Sequence, residues 1–106
     1  MIQHIVLLRI KDSATAAQVA EAGGALLAMK PQIPEIQDIH FGPNLGPSVK
    51  EYSHVLIVGC ADMAAVKRYL DHPVHRQTID RYIAPIREAR LAADLEVQGE
   101  TEGRPW

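Results

Sequence analysis

Residues 2–10 read Ile2-Gln3-His4-Ile5-Val6-Leu7-Leu8-Arg9-Ile10, and this stretch decides the fold. Its β-branched and leucine content, with no capping residue in front, predicts a strand. Side chains along a strand alternate between the two faces of its sheet. One face therefore carries His4, Val6, Leu8 and Ile10, and the other carries Ile5 and Leu7. A strand with one face in water should alternate apolar with polar, and this one does not. Residues 52–60 (YSHVLIVGC) repeat the pattern: His54, Leu56 and Val58 share one face, Val55 and Ile57 the other. Both faces of the sheet's centre thus need cover. Helices on one side supply half of it. A second copy of the chain, related by a two-fold axis, is the simplest cover for Ile5, Leu7, Val55 and Ile57. The alternative is that loop and tail fold across that face, although irregular backbone buries poorly.

Working outward, Lys11–Ala14 form a turn, and Thr15 and Gln18 stand at capping-box spacing, so a helix should start near Ala16. Val19, Gly23, Leu26 and Met29 give it one buried stripe, and Pro31 and Pro34 end it. The tandem Gly23-Gly24 weakens this helix and points to close packing on the sheet. Residues 35–41 (EIQDIHF) predict a second strand, followed by a turn-rich loop from Gly42 to Pro47. Asp62 can cap a short helix through Leu70, and Pro73 suits the first position of another. Ile79, Tyr82, Ile83 and Ile86 line that helix, and Pro85 kinks or ends it. Residues 91–98 predict a fourth strand, and the polar segment 99–106 a flexible tail. The order β-α-β-β-α-α-β matches a ferredoxin-like α+β domain over residues 1–98, with an antiparallel four-stranded sheet and helices on one face. The two central strands should be neighbours.

At 106 residues the chain is one domain, and its 47% apolar content is ordinary for a globular protein. A net charge of −2 gives no reason to expect nucleic acid as a partner. The one cysteine, Cys60, allows no internal disulfide and fits a reducing compartment. The apolar start stops at Arg9 and Lys11 without the pattern of a signal peptide, and no run approaches the ~20 apolar residues of a membrane span. A cytoplasmic protein with no membrane contact is expected.

The strand alternation also sorts the histidines. His4 and His54 should point to the same, helix-covered side. Nearby in sequence stands Tyr69-Leu70-Asp71-His72-Pro73-Val74-His75. His75 falls in the first turn of a helix, where partial positive charge disfavours imidazolium and keeps the ring neutral. A neutral histidine can serve as a general base, and a neighbouring tyrosine can pass on a proton or stabilise an enolate. His4, His54, Tyr69 and His75 are thus expected around one cavity, with Tyr69 and His75 catalytic and His4 and His54 orienting oxygens of a small-molecule ligand. The same residues also fit a packed tyrosine and a satisfied core histidine. His72 reads as a helix cap, and His40 as solvated. No metal is expected, because Pro73 interrupts the His72–His75 spacing and no carboxylate joins it. Cys60 reads as a small buried residue.

The His4–Arg9 run, the Gly42 loop, Tyr52-Ser53-His54-Val55, the Tyr69-x-x-His72-Pro73-x-His75 segment and Asp94 resemble the Dabb family, the stress-responsive dimeric A/B barrels. The resemblance implies a ferredoxin-like subunit and a homodimer whose two sheets meet as a barrel. The family includes a plant polyketide cyclase, in which a tyrosine and a histidine drive an aldol cyclisation without a cofactor. Carried over, it implies Tyr69 and His75 as the acid–base pair, His4 and His54 as substrate contacts, no cofactor, and a small aromatic or polyketide-like substrate. A stress-response binding or structural protein without chemistry is the competing expectation. A related barrel that oxygenates or isomerises a small aromatic would share the fold but not the Tyr-x-x-His-Pro-x-His segment.

Overall fold

The computed structural model describes residues 1–98, so the expected flexible tail lies outside the described residues. Strand β1 runs Ile2–Ile10, helix α1 Ala16–Leu27, strand β2 Asp38–Pro43 and strand β3 His54–Cys60. Helices α2 (Met63–Asp71) and α3 (Pro73–Thr78) follow, then strand β4 (Arg87–Glu96). The strands form one antiparallel sheet in the order β2-β3-β1-β4, with β1 and β3 central. This is the ferredoxin-like α+β fold expected from the order of elements.

The local signals act as their chemistry requires. The Thr15 hydroxyl accepts from the Gln18 amide at 3.1 Å, and the Gln18 side chain accepts from the Thr15 amide at 2.8 Å, which closes the capping box of α1. An Asp62 carboxylate oxygen accepts from the Ala65 amide at 2.8 Å and starts α2. His72 caps α3 as expected, its Nδ1 accepting from the Val74 amide at 3.1 Å, with Pro73 in the first turn. Beyond Thr78 the chain widens into a π-helical turn, Ile79–Ile83, closed by a bond from the Ala84 amide to the Ile79 carbonyl at 2.8 Å.

Three strands differ from the sequence reading at their boundaries. The second strand begins at Asp38 instead of 35, because a turn from the Ile36 amide to the Ile33 carbonyl tucks both isoleucines into the core first. It then runs on through Gly42-Pro43, opposite Val55 and His54, which an edge strand tolerates because Pro43 needs no ladder donor. The third strand starts at His54, not 52; the Asn44 side chain holds the Tyr52 carbonyl at 2.8 Å instead. The fourth begins at Arg87, four residues before the expected 91, since its pairing with β1 reaches Ile10.

The core lies between the helices and one face of the sheet. It takes Val6 and Leu8 from β1, Leu56 and Val58 from β3, and Leu26 and Met29 from the α1 side. Gly23 lets α1 come close to β2: a Cβ there would meet the Phe41 ring at 3.0 Å. Gly24 faces open space, so the close-packing expectation holds for the first glycine only. On the opposite face, Ile5, Leu7, Val55 and Ile57 are only half-buried. Leu91 and Leu95 on β4, 52% and 53% exposed, lie opposite Leu7 and Gln3 and extend that apolar face. Among the described residues no helix is long and apolar enough to cross a membrane.

Candidate active site

Under the helices, on the core face of the sheet, is a cavity of about 510 Å³. His4, Tyr69 and His75 supply its uncharged or titratable polar groups, and most of the remaining lining is aliphatic. That volume and that mixture are those of a small-molecule pocket.

His4 enters from β1 because it sits on the same face as Val6 and Leu8, and it is only 5% exposed. Strand pairing puts Asp94 of β4 directly opposite. A carboxylate only accepts, so the His4 Nδ1–H donates to Asp94 Oδ1, at 2.7 Å. That bond fixes the ring's orientation and leaves Nε2 for the cavity. Tyr69 comes from the buried face of α2 and is 1% exposed. Its ring lies edge-on to both imidazoles, with centroids 4.6 Å from His75 and 6.2 Å from His4. Burial, with a smaller contribution from the Cys60 thiol, raises the Tyr69 phenol well above its ordinary range, so it is a proton donor near neutrality.

His75 lies in the first turn of α3, and its Nδ1 is 3.0 Å from the Leu70 carbonyl oxygen. A carbonyl cannot donate, so Nδ1 carries the hydrogen, and the neutral ring keeps its lone pair on Nε2. Burial is the main cause that lowers the affinity of His75 for a second proton. The Leu70 bond opposes this, and the charges of His4, Arg76 and Arg90 add to it. The expected direction is found, but desolvation is its principal origin. A neutral imidazole with a defined lone pair therefore adjoins a protonated phenol, the combination that acid–base chemistry at a carbonyl compound requires.

The expectation that four residues face one cavity holds for three. His54 has the expected strand face, opposite Leu8, but it does not line the cavity. Its ring stacks on Phe41, centroids 5.5 Å apart and 11° from parallel, and its Nδ1 lies 2.9 Å from the Ser53 hydroxyl. Burial lowers its pKa as well. Arg87 and Arg90, which no motif in the sequence marks, also line the cavity from β4. Alternation from Asp94 through Ala92 reaches Arg90 only once pairing with β1 extends the strand below residue 91. Arg87 reaches that side through a register shift opposite Arg9 and Ile10. Among the described residues no group of three or more His, Cys, Asp or Glu side chains is placed to hold a metal ion.

Fold and cavity together define a ferredoxin-like subunit with a histidine–tyrosine pocket between its helices and its sheet. The model of the Stress responsive A/B Barrel Domain family, Dabb, matches residues 2–97, and the chain belongs to that family. Olivetolic acid cyclase of Cannabis sativa is 28% identical over 76 residues, which cover 70% of this chain and 75% of the cyclase. A dimeric ferredoxin-like protein of unknown function from Thermobifida fusca YX is 31% identical, covering 91% of this chain and 90% of that one, with a TM-score of 0.78. A dimeric protein of unknown function and ferredoxin-like fold from Bacteroides fragilis is 25% identical, with 91% and 95% covered and a TM-score of 0.75.

Proposed function

We propose that this chain is a homodimeric, cofactor-independent acid–base enzyme acting on a small aromatic or polyketide-like carbonyl compound. The observation that carries the reading is the Tyr69–His75 pair in the cavity, with the His75 tautomer set by the Leu70 carbonyl. In this reading, Nε2 of His75 takes a proton from the carbon next to a carbonyl. The Tyr69 hydroxyl donates to the carbonyl oxygen as it becomes an enolate. The enolate carbon then attacks a second carbonyl of the same molecule, as in an aldol cyclisation, and His75 returns its proton to the new alkoxide. His4, held by Asp94, orients a substrate oxygen. His54, away from the cavity lining, has no part in the proton transfers. Similarity to the cyclase supports the carbonyl chemistry. The dimeric relatives, and an apolar face made of Ile5, Leu7, Val55 and Ile57 with Leu91 and Leu95, support the homodimer.

The first half of this chemistry is testable without the natural substrate. Proton–deuterium exchange at the central carbon of 1-phenylbutane-1,3-dione, followed by NMR in D2O, should be accelerated by the wild-type chain. Tyr69→Phe and His75→Ala should each lower the enzymatic rate by about a hundredfold or more. Exchange unaffected in both variants would sink the reading. Binding of the dione without exchange would favour a non-enzymatic binding protein.

A further inference from the structure

We propose that the cavity takes a small apolar carboxylic acid, its carboxylate held by Arg87 and Arg90 on β4. This rests on the reading of the cavity as a small-molecule site and adds the charge of the ligand.

The first observation is where the cations are. Arg87 and Arg90 line the cavity, and no Asp or Glu does. The second is how they are partnered. Arg9, Arg68 and Arg76 each reach a carboxylate, of Glu88, Glu35 and Asp71 respectively. Arg81 lies over the Tyr82 ring, 5.2 Å from its centre. Among the described residues Arg87 and Arg90 have no such ion pair.

The third observation is the backbone that aims them. From Asp94 the alternation runs through Ala92 to Arg90, opposite His4, Val6 and Leu8. One regular step further would bring Glu88 to the cavity side, opposite Ile10. The register shift between Arg9 and Ile10 pairs Ile10 with Arg87 instead. Glu88 is left exposed, 3.6 Å from Arg9, while Arg87 is half-buried and Arg90 lines the cavity at its exposed margin. The irregularity thus exchanges a carboxylate for a second guanidinium at the cavity, the kind of re-aiming that β-bulges perform beside binding sites. The charge of Arg90 is already felt at His75, where it disfavours protonation.

Two guanidiniums recognise a carboxylate by charge-assisted, often bidentate hydrogen bonds. The aliphatic lining from Leu26, Leu56, Ile79 and Ile83 suits an apolar body. An acid bound this way would bring carbons near its charged end toward Tyr69 and His75.

The test compares 4-phenylbutanoate with 4-phenylbutanamide by titration calorimetry at pH 7.5 and low salt. The wild-type chain should bind the acid roughly tenfold or more tightly than the neutral amide. The doubly substituted R87Q/R90Q chain should lose that preference, and R87K/R90K should keep part of it. NMR of the wild-type chain needs no variant: the acid should shift the Arg90 Nε–H and the His75 ring resonances together. Equal affinity for acid and amide, binding of neither, or a preference that survives in R87Q/R90Q would each overturn the proposal. Its failure is separable from that of the acid–base reading. Tyr69→Phe should remove proton exchange while leaving the preference for the acid in place, and a wild-type chain that exchanges the neutral dione yet binds acid and amide equally would overturn this proposal alone.

Discussion

At the scale of single residues, His75, the proposed base, ties the chain to pH. Its proton affinity is lowered in the folded chain, as is that of His54, in both cases chiefly by burial. Below the ordinary histidine value of 6.5 the unfolded chain takes up protons that the folded chain refuses. Stability should therefore be level above that pH and fall as the pH drops from it toward the folded-state values. Thermal melts between pH 7.5 and 5 should show this, with a shallower slope in His75→Gln. Exchange activity should keep its base form below 6.5, so its acid limb should lie on the acid side of an ordinary histidine. Asp94 offers a second check. Removing it in Asp94→Ala leaves the buried His4 Nδ1–H without its partner and should cost about 1 kcal/mol, at the low end because a third of Asp94 faces solvent. Denaturant melts would measure it. Alternation groups His4 with Val6 and Leu8, and His54 with Leu56 and Val58, and the two share a face only through the register of β1 against β3. The sequence alone did not show that the Phe41 stack holds His54 away from the cavity, because that contact joins residues of different strands.

At the scale of elements, α1 and β4 differ in how far sequence determines them. The start of α1 is written in Thr15 and Gln18, and the structure forms that capping box as the spacing requires. Its two glycines look equivalent in sequence and are not equivalent in space. Gly24→Ala enters open space and should stabilise the chain by roughly 0.5–1 kcal/mol through helix propensity. Gly23→Ala meets the Phe41 ring at 3.0 Å and should lose most or all of that gain. Comparing the two variants by chemical denaturation would check this, and a gain at Gly23 equal to that at Gly24 would contradict it. Strand β4 was legible in its second half only. Its first residues, Arg87–Arg90, lack an apolar run, and pairing with β1 makes them a strand. The same pairing carries the register shift that turns Arg87 inward, which no reading of β4 by itself contains.

At the scale of the whole molecule, the main expectation is the dimer. Leu7→Asp or Ile57→Asp puts a charge on the apolar outer face without touching the cavity lining. Light scattering should show twice the chain mass for the wild type and once for these variants, and an unchanged dimer in both would remove that face as the interface. The sequence by itself determined the α+β class and the two-sided apolar character of the central strands. These follow from a two-residue period and from caps, which are properties of neighbouring residues. It also set Tyr69, His72 and His75 around a proline that separates two helices. Only the tertiary structure decided which polar groups share the cavity, that His54 does not, and that two arginines do. Those outcomes depend on register between β1 and β4 and on how closely α1 approaches β2. Both are set by packing between segments far apart in the chain, about which local periodicity carries no information.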